Sequence, residues 1–552
     1  MSDATTLGDV IAAFLESVGV RLAFGVVSVH NIPILDAIHR RGKIRFVPAR
    51  GEAGATNMAD AAARISGGLG VVVTSTGTGA GNAAGALVEA ATAGTPLLHF
   101  TGQVDKPFLD RGFGFLHEAP AQLDMLRAVS KAAFRIVDPS EAPAVLHEAA
   151  RLALAAPRGP VSIEIPVDVQ SAPAKMPQHF PPVALAPIAP DPAALDRLSA
   201  RMAAARRPLL WLGGGAREAG NAAAALAATG VAVVTSAAGR GILPEDDPMS
   251  LGAFAASPPV EQLYDSVDFM VVAGSHLRSN ETRTYNLHLP LARARIDVDP
   301  AAEGRGYPCE IFVRGDARLV LEDLAARLAG RLAPDPAFAA DVAAARAAAE
   351  EGLRRSIAPY GPMLDALTRL MPKDALWVRD ITLSNSTWGN RMPALGDPRS
   401  AVHAMGGGIG QGLAMAVGAA LAGSPRKTVA LVGDGGLMLN LGELATAAES
   451  GADIALLVMN DGGYGVIRNI QHNMYGGREC YADLLTPDFA RVAESLGIPH
   501  RRLGALTDFA PAFAAAVQHK GLSIVEVDMR AIGPFTQRHG SFPPPPAAAI
   551  GR

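Results

Sequence analysis

Residues 431–465 read LVGDGGLMLNLGELATAAESGADIALLVMNDGGYG and contain two apolar runs, each of which ends in glycines beside a carboxylate. The run at 428–432 ends in Gly-Asp-Gly-Gly around Asp434, and the run at 454–459 ends in Asn-Asp-Gly-Gly around Asp461. Between them, leucines and alanines recur at helical spacing. Strand, helix and strand predict a βαβ unit whose two parallel strands end at the same edge of a sheet. Because ligands of open α/β sheets bind at that edge, Asp434 and Asp461 are expected to share a ligand site.

The two carboxylates suit a divalent cation that bridges to a phosphate. Mg²⁺ prefers oxygen ligands and usually keeps a substrate phosphate in its coordination shell. Gly435 and Gly436 let the backbone approach an anion closely. The free N–H groups at the start of a helix bind such an anion favourably. Asp-Gly is also ordinary turn chemistry. The occurrence of both motifs on consecutive strands of one βαβ unit favours a metal–diphosphate site over a pair of turns.

The composition is that of a globular protein and excludes several classes of function. The 552 residues are 49% apolar and 18% charged, with a formal net charge of −4 and no basic block, so neither nucleic acid nor a membrane surface is an expected partner. Two cysteines, Cys309 and Cys480, exclude a disulfide framework and fit a cytoplasmic location. No apolar run approaches the ~18 residues of a membrane helix, and the N-terminus lacks the basic segment and cleavage site of a signal peptide.

Alternating helical and strand patterns predict an α/β protein with three doubly wound parallel-sheet domains. The first domain, 1–170, contains short apolar runs at 22–25, 44–47, 69–74, 97–101 and 161–165. A proline-rich linker at 171–192 leads to a central domain at 193–330, with runs at 208–212, 231–235, 269–273 and 294–298. A helical connector at 331–359 precedes the third domain, 360–552, which contains the opening motif and ends in a proline-rich extended arm.

The Gly-Asp-Gly motif, followed after a helix and a strand by Asn-Asp, resembles the signature of the thiamin-diphosphate enzymes. The order of the three domains resembles the acetolactate synthase and 2-oxo-acid decarboxylase branch, which includes benzoylformate decarboxylase. The resemblance implies thiamin diphosphate as cofactor, with Mg²⁺ held by Asp434, Asp461 and the carbonyl of Gly463, and with Gly435 and Gly436 beside the diphosphate. Asp461 departs from the family, which usually has Asn there. Because the family builds its site from the first and third domains of different subunits, a homodimer or a dimer of dimers is expected.

In the first domain the resemblance indicates four residues. The segment Arg50-Gly-Glu-Ala-Gly-Ala resembles a family motif whose glutamate contacts N1′ of the aminopyrimidine and promotes loss of the C2 proton, which implies this role for Glu52. An acidic residue in the first turn of a helix is otherwise ordinary. His117 and His30 are candidates for proton transfer, because the pKa of histidine lies near neutrality, and Gln103 is a candidate substrate contact. A G-x-G-x-x-A pattern at 79–84 supports a rival prediction, a dinucleotide site, but no acidic residue follows at the usual distance.

In the third domain the resemblance indicates a bent cofactor held by a glycine-rich turn. Ile409 is expected to wedge between the two rings, and the carbonyl of Gly407 to accept a hydrogen bond from the 4′-amino group. Ser384 and Asn385 resemble a loop that contacts the diphosphate. No acid follows Tyr464-Gly-Val-Ile, so an apolar pocket is expected, with Arg468 as a clamp for a substrate carboxylate.

The sequence therefore predicts a thiamin-diphosphate-dependent carbon–carbon lyase or carboligase that acts on a 2-oxo acid or related carbonyl compound, in the manner of acetolactate synthase. A simple 2-oxo-acid decarboxylase is the first alternative. A nucleotide-dependent oxidoreductase and a non-catalytic cofactor-binding relative are alternatives from other classes. FAD is a possible second cofactor of the central domain, but the family's arginine-bearing stretch is replaced at 274–283, where Asn280 takes the place of the arginine that selects the second oxo acid. This replacement argues against both FAD and true acetolactate formation.

Overall fold

The computed structural model describes residues 5–540, 543, 544 and 546, and the described chain forms three sheets in which all paired strands are parallel. This confirms the predicted fold class, while the exact domain limits stay predictions. Of the predicted proline-rich arm, 539–546, residues 541, 542 and 545 lie outside the described residues. Within the described residues, no helix combines the length and apolar character needed to cross a bilayer.

The first sheet has the strand order β2-β1-β3-β4-β6-β5. Its strands are β1 Leu22–Gly25, β2 Arg45–Pro48, β3 Gly70–Thr74, β4 Leu97–Gln103, β5 Ala132–Arg135 and β6 Pro160–Pro166. Its helices are α1 Leu7–Ser17, α2 Ile32–Arg41, α3 Glu52–Ser66, α4 Thr78–Ala93, α5 Gln122–Val129, α6 Ala142–Leu154 and α7 Val167–Ser171. The apolar runs found in the sequence all form strands here, because strands covered on both faces require continuous apolar residues.

The central sheet has the order β11-β10-β9-β7-β8. Its strands are β7 Pro208–Leu212, β8 Ala232–Thr235, β9 Phe269–Ala273, β10 Arg293–Asp297 and β11 Ile311–Arg314. The helices of this region are α8 Pro192–Ala203, α9 Gly220–Ala227, α10 Pro258–Tyr264 and α11 Ala317–Leu328, and the connector forms α12 Phe338–Ser356. Sequence reasoning missed β5 and β11. Both are edge strands with partly exposed side chains, so neither presents a continuous apolar run.

The third sheet has the order β13-β12-β14-β15-β17-β16, which repeats the order of the first sheet. Its strands are β12 Leu376–Arg379, β13 Ala401–His403, β14 Thr428–Gly433, β15 Ile454–Asn460, β16 His500–Leu503 and β17 Ser523–Asp528. Its helices are α13 Gly361–Leu370, α14 Gly412–Gly423, α15 Asp434–Leu437, α16 Glu443–Ser450, α17 Gly465–Met474, α18 Phe489–Ser495, α19 Phe509–Gln518 and α20 Met529–Ile532.

Helix α3 of the first domain packs directly against helix α14 of the third. A side chain at Gly418 of α14 would overlap the backbone carbonyl of Met58 in α3, so the two helices approach as closely as their backbones allow. Buried alanines and other apolar residues of both helices belong to one continuous core. This contact fixes the first domain relative to the third, and therefore the segments on either side of these helices.

The predicted linker is packed rather than free. Residues 172–191 contain neither helix nor strand, yet Phe180 packs edge-on against Phe14 of α1 with ring centroids 5.5 Å apart. A second interdomain contact joins the central and third domains, where buried Arg240 pairs with Glu245 at 2.7 Å and donates to the carbonyl of Gly389.

Candidate active site

Asp434 and Asp461 lie side by side at the carboxyl ends of neighbouring strands. β14 and β15 pair in register up to Gly433 and Met459, and the backbone N–H of Asp461 donates to Oδ1 of Asp434 at 3.2 Å. Asp434 is fully buried, and its Oδ2 has no hydrogen-bond partner among the described residues. The backbone of Gly463 packs against Gly435, close enough that a side chain at position 435 would meet the Gly463 carbonyl. The three predicted metal ligands therefore belong to one cluster.

The electrostatics of this cluster favour a bound cation. Burial raises the pKa of Asp434, although backbone N–H groups around it favour the charged form. Burial, and then the charge of Asp434, raise the pKa of Asp461 to about 6 in spite of its contact with Arg468. Two adjacent buried carboxylates disfavour each other's ionised state, and a divalent cation relieves that repulsion.

Arg468 is engaged with acidic residues of its own chain. Its guanidinium lies 3.0 Å from Oδ1 of Asp461, 2.8 Å from the carbonyl of Asp461 and 2.6 Å from Asp483. These contacts give it a defined place beside the predicted metal ligands. The prediction that Arg468 grips a substrate carboxylate is untested, but it would require this guanidinium to leave two carboxylates.

The residues present fit thiamin diphosphate with Mg²⁺. Ser384 Oγ and both polar side-chain atoms of Asn385 are buried without a hydrogen-bond partner in the described chain, as is Oδ2 of Asp434. Buried polar atoms are nearly always satisfied in native proteins, so this group of them indicates a polar ligand. Two carboxylates and a carbonyl form an all-oxygen donor set of the kind that Mg²⁺ takes. Within the described residues, no three His, Cys, Asp or Glu side chains are grouped to hold a metal, and the predicted site needs only two.

Ser384 and Asn385 lie in a helical segment rather than in the expected loop. The chain forms a π-helical turn over Asn385–Gly389, directly after Ser384. Such turns are rare and occur frequently at functional sites, because the wider turn displaces side chains from their regular positions. Residues 381–388 contain no glycine or proline, and Gly389 comes only at the end of the turn, so the sequence did not mark its start.

The glycine-rich turn, residues 405–410, is fastened to the Asp434 segment. Gly407 and Gly410 adopt φ values of 85° and 80°, which are readily available only to glycine. Buried Asp380 accepts from the N–H of Gly410 at 3.0 Å, and Asn440 donates to the carbonyl of Gly410 at 2.6 Å. Ile409 is 40% exposed, which suits the apolar wedge that the sequence predicts. Within the described residues the carbonyl of Gly407 accepts no hydrogen bond, so its role stays a prediction.

The candidate residues of the first domain form a second cluster. Glu52 is the first residue of α3, and its Oε2 accepts from Asn82 at 3.2 Å. The rings of His30 and His117 lie 5.2 Å apart, and Ser75 Oγ is 3.4 Å from Nδ1 of His117. Ser75 and Glu52 are in turn both close to the Cα of Gly79. Each histidine alone was ambiguous in the sequence, whereas the structure pairs the two rings and links His117 to Glu52 through Ser75 and Gly79.

Two of these groups have distinctive environments. Nδ1 of His30 is buried without a hydrogen-bond partner among the described residues, and burial, followed by the charge of His117, lowers the pKa of His30. Gln103 is 2% exposed, and its side-chain oxygen accepts from the N–H of Val104 at 2.8 Å. The amide of Gln103 therefore has a structural bond of its own, and its role in substrate binding stays a prediction.

Sequence reasoning missed several residues that shape the site. Asp380 directly follows β12 at the same sheet edge as Asp434, and burial raises its pKa to about 6. Gln122 accepts from the N–H of Gly77 at 2.6 Å and so holds the turn before α4. A carboxylate two residues after the apolar run 375–378 was the signal available for Asp380, but Gln122 and Asn440 carry no sequence signal of this kind. Glu52 and the Asp434–Asp461 pair have their described side-chain contacts within their own domains, so their meeting on one cofactor remains a prediction.

Three family models match successive parts of the chain. The thiamine pyrophosphate enzyme N-terminal TPP binding domain matches residues 5–128, the central domain matches 195–324, and the C-terminal TPP binding domain matches 383–527. Together they cover more than half of the chain. The pattern at 79–84 lies inside the N-terminal TPP binding domain, so this family, rather than a dinucleotide site, accounts for it.

Relatives match nearly the whole chain. The probable 2-ketoarginine decarboxylase AruI of Pseudomonas aeruginosa is 33% identical over 95% of this chain and 94% of its own length. An acetolactate synthase of Arthrospira platensis is 29% identical over 92% and 91%. A solved structure of a candidate thiamin diphosphate-dependent enzyme from Mycobacterium smegmatis superposes with a TM-score of 0.79 at 25% identity, covering 95% of this chain and 99% of that one. This chain belongs to the thiamine pyrophosphate enzymes and is a thiamin-diphosphate-dependent enzyme.

Proposed function

We propose that this enzyme decarboxylates a 2-oxo acid, with Asp434, Asp461 and the carbonyl of Gly463 holding Mg²⁺ on the cofactor diphosphate. The buried, unpartnered Oδ2 of Asp434 beside the second carboxylate is the observation that carries the proposal. Ser384 and Asn385 bind the diphosphate oxygens, because their buried polar atoms have no other partner in the described chain. Exhaustive chelation should abolish activity, and Mg²⁺ with thiamin diphosphate should restore it.

Held by these residues, thiamin diphosphate would supply a carbon nucleophile for the substrate carbonyl and an acceptor for the electrons released with CO₂. The chain supplies orientation and proton positions. Glu52 holds a proton at N1′ of the aminopyrimidine, and Asn82 holds the carboxylate of Glu52 in place. Ile409, exposed in the glycine-rich turn, would pack against the cofactor and exclude water from it. The first-domain cluster comes from one subunit and the Asp434 cluster from its partner.

The paired histidines favour protonation as the end of the reaction. His117 and His30 lie close enough to share one proton-transfer path, and the unpartnered Nδ1 of His30 can accept or donate a proton inside the site. Protonation releases an aldehyde. Carboligation with a second carbonyl is the second candidate, and the 29% identity to an acetolactate synthase over most of the chain favours it.

The substrate's distal group fits a cavity between the central and third domains. This cavity of about 560 Å³ reaches Gly407. It is lined by Trp211, Thr235 and Asn390, each of which has a buried polar atom without a partner in the described chain. A polar side chain on the 2-oxo acid would satisfy these groups, and the similarity to a probable 2-ketoarginine decarboxylase favours such a substrate. We expect activity without FAD, because the family's arginine-bearing stretch is absent.

A substrate screen tests the proposal. Purified enzyme with thiamin diphosphate and Mg²⁺ is given 2-oxo acids with cationic, neutral polar and apolar side chains, and both CO₂ and organic products are measured. CO₂ release with an aldehyde product, highest for a polar side chain, is expected. A ligation product formed from two carbonyls would favour the second candidate, and failure of every 2-oxo acid would contradict both.

We also propose that two copies of the chain assemble around the site. Beside the Asp434 cluster, Leu439 is 52% exposed and Ile467 is 45% exposed. On the segment that follows α17, Tyr481 and Leu485 are almost fully exposed. A partner subunit would cover these apolar groups, and sedimentation analysis should show a dimer or a multiple of it. Both cysteines are free thiols, which supports a reducing cytoplasm.

A further inference from the structure

Buried Glu443 of the third domain holds the backbone that leads into Glu52. Glu443 lies in the first turn of α16 and is 1% exposed. Its Oε1 accepts from the backbone N–H groups of Arg50 and Gly51, each at 3.2 Å. These two amides directly precede Glu52, the first residue of α3. Gly51 provides no side-chain cap for α3, so the carboxylate of Glu443 supplies the negative charge that a helix N-terminus favours.

Buried Glu89 of the first domain makes the corresponding contact in the opposite direction. Glu89 lies on α4 and is 2% exposed. One of its oxygens accepts from the N–H of Met405, and the other accepts from the N–H of Gly406 at 2.6 Å. These are the first two residues of the glycine-rich turn. Arg64 lies 3.1 Å from Glu89 and compensates its charge.

The two contacts are equivalent in the topology of the two domains. The first and third sheets have the same strand order. In each, one helix joins the second strand to the third (α3 and α14), and the next helical connection leads to the fourth strand (α4, and α15 with α16). The carboxylate comes from this later connection and binds the backbone in front of α14 or α3 in the other domain. A glycine faces each carboxylate, because a side chain at Gly54 would overlap Glu443 and one at Gly406 would press on Glu89.

We propose that Glu443 and Glu89 are reciprocal positioning residues, each of which fixes, from the other domain, the backbone of a cofactor-binding segment. Glu443 sets the start of α3 and so the position of Glu52. Glu89 sets the start of the turn that carries Gly407 and Ile409. The inference rests on the proposed function, which gives Glu52 and the turn their roles. In this proposal the α3–α14 interface holds the start of α3 and the glycine-rich turn at fixed positions relative to each other.

The test measures C2 proton exchange of the bound cofactor, which reports on the position of Glu52 without any substrate. The wild-type enzyme and the variants Glu443→Ala and Glu443→Gln are loaded with thiamin diphosphate and Mg²⁺. Transfer to deuterated solvent starts the exchange, an acid quench stops it, and NMR measures the remaining C2 proton. Glu443→Ala should slow exchange about 10- to 100-fold, the factor that corresponds to one or two charge-assisted hydrogen bonds. The dissociation constant of the cofactor should change by less than about threefold, because the Asp434 cluster is intact. Glu443→Gln should restore most of the rate, because its carbonyl oxygen can accept from the same two N–H groups.

Glu449→Ala is the matched control. Glu449 lies on the same helix and pairs with the partly exposed guanidinium of Arg50 at 2.6 Å rather than with the backbone in front of Glu52, so exchange should keep its wild-type rate. Glu89→Ala and Glu89→Gln should repeat the pattern of the Glu443 pair. Exchange in Glu443→Ala within about twofold of wild type would overturn the proposal, as would an equal loss in Glu443→Gln and Glu449→Ala.

A second variant tests the same proposal if Glu443→Ala does not fold. Gly54→Ala keeps the carboxylate but places a methyl group where Glu443 now lies. It should slow exchange to a similar extent, and a wild-type rate would again overturn the proposal. If the wild-type enzyme itself neither binds thiamin diphosphate nor exchanges its C2 proton, the proposed function fails instead, so the two failures are distinguishable.

Discussion

Replacement of Arg468 by Met separates two roles for this residue: a clamp for the substrate carboxylate and a counter-charge for Asp461. The structure favours the second, because the guanidinium lies 3.0 Å from Asp461 and 2.6 Å from Asp483. At 3.0 Å and an effective dielectric constant of about 20, the gross attraction to Asp461 is ~5 kcal/mol. Arg468 and Asp461 are 19% and 17% exposed, so water and desolvation reduce the net contribution to about 1–3 kcal/mol.

Two opposite effects follow from that magnitude. Without metal, Arg468→Met leaves Asp434 and Asp461 as neighbouring carboxylates without compensation, so the apoenzyme should unfold at a lower temperature. With metal, a positive charge no longer competes for Asp461, so Mg²⁺ should bind about tenfold more tightly, which corresponds to ~1.4 kcal/mol. The KM for the 2-oxo acid should change by less than about threefold.

Thermal unfolding in chelator and Mg²⁺ titration of cofactor binding measure these effects, with steady-state kinetics on the same protein. Arg491→Met is the matched control, because Arg491 is an exposed arginine paired with Asp488 on the surface. A KM raised about tenfold or more, with an unchanged Mg²⁺ titration, would refute the counter-charge role and support the carboxylate clamp.

Three further variants test the site and its support. Glu52→Gln should lower kcat at least 100-fold, because it removes the carboxylate that holds a proton at N1′, while cofactor affinity and unfolding temperature stay close to wild type. Kinetics and calorimetry measure these quantities, and near-normal turnover would exclude Glu52 from the reaction. Asp434→Ala should abolish Mg²⁺-dependent cofactor binding without lowering the unfolding temperature of the apoenzyme, because Oδ2 of Asp434 is buried without a partner in the described chain. Calorimetric titration measures the binding, and retained binding would contradict the metal site. Gly418→Val should destabilise the protein by about 3 kcal/mol or more, because the valine side chain would overlap the carbonyl of Met58. A wild-type unfolding temperature would show that α3 and α14 can move apart with little loss of stability.

The fold could be predicted largely from the sequence, because apolar runs report burial directly. Strands β1, β7 and β9 coincide with the predicted runs, and most others differ by a residue or two at one end. Two of the misses, β5 and β11, lie at sheet edges, where one side of the strand is not covered and the apolar run is interrupted. In the third sheet the sequence singled out only the two runs of the opening motif, so β12, β13, β16 and β17 were missed as well. The meeting of Asp434 and Asp461 was likewise predictable, because parallel strands joined by a crossover must end at one edge.

The local sequence determined which residues could carry chemistry, and only the tertiary structure decided what they contact. Nothing near Arg468 in the sequence indicates that it turns back to Asp461 and forward to Asp483. The contacts of Glu443 with Arg50 and of Glu89 with Met405 join residues more than 300 positions apart. Periodicity and motif spacing report the environment of a segment along its own strand or helix. Pairing across domains depends on how closely α3 and α14 dock, and that is set by the summed packing of the whole interface.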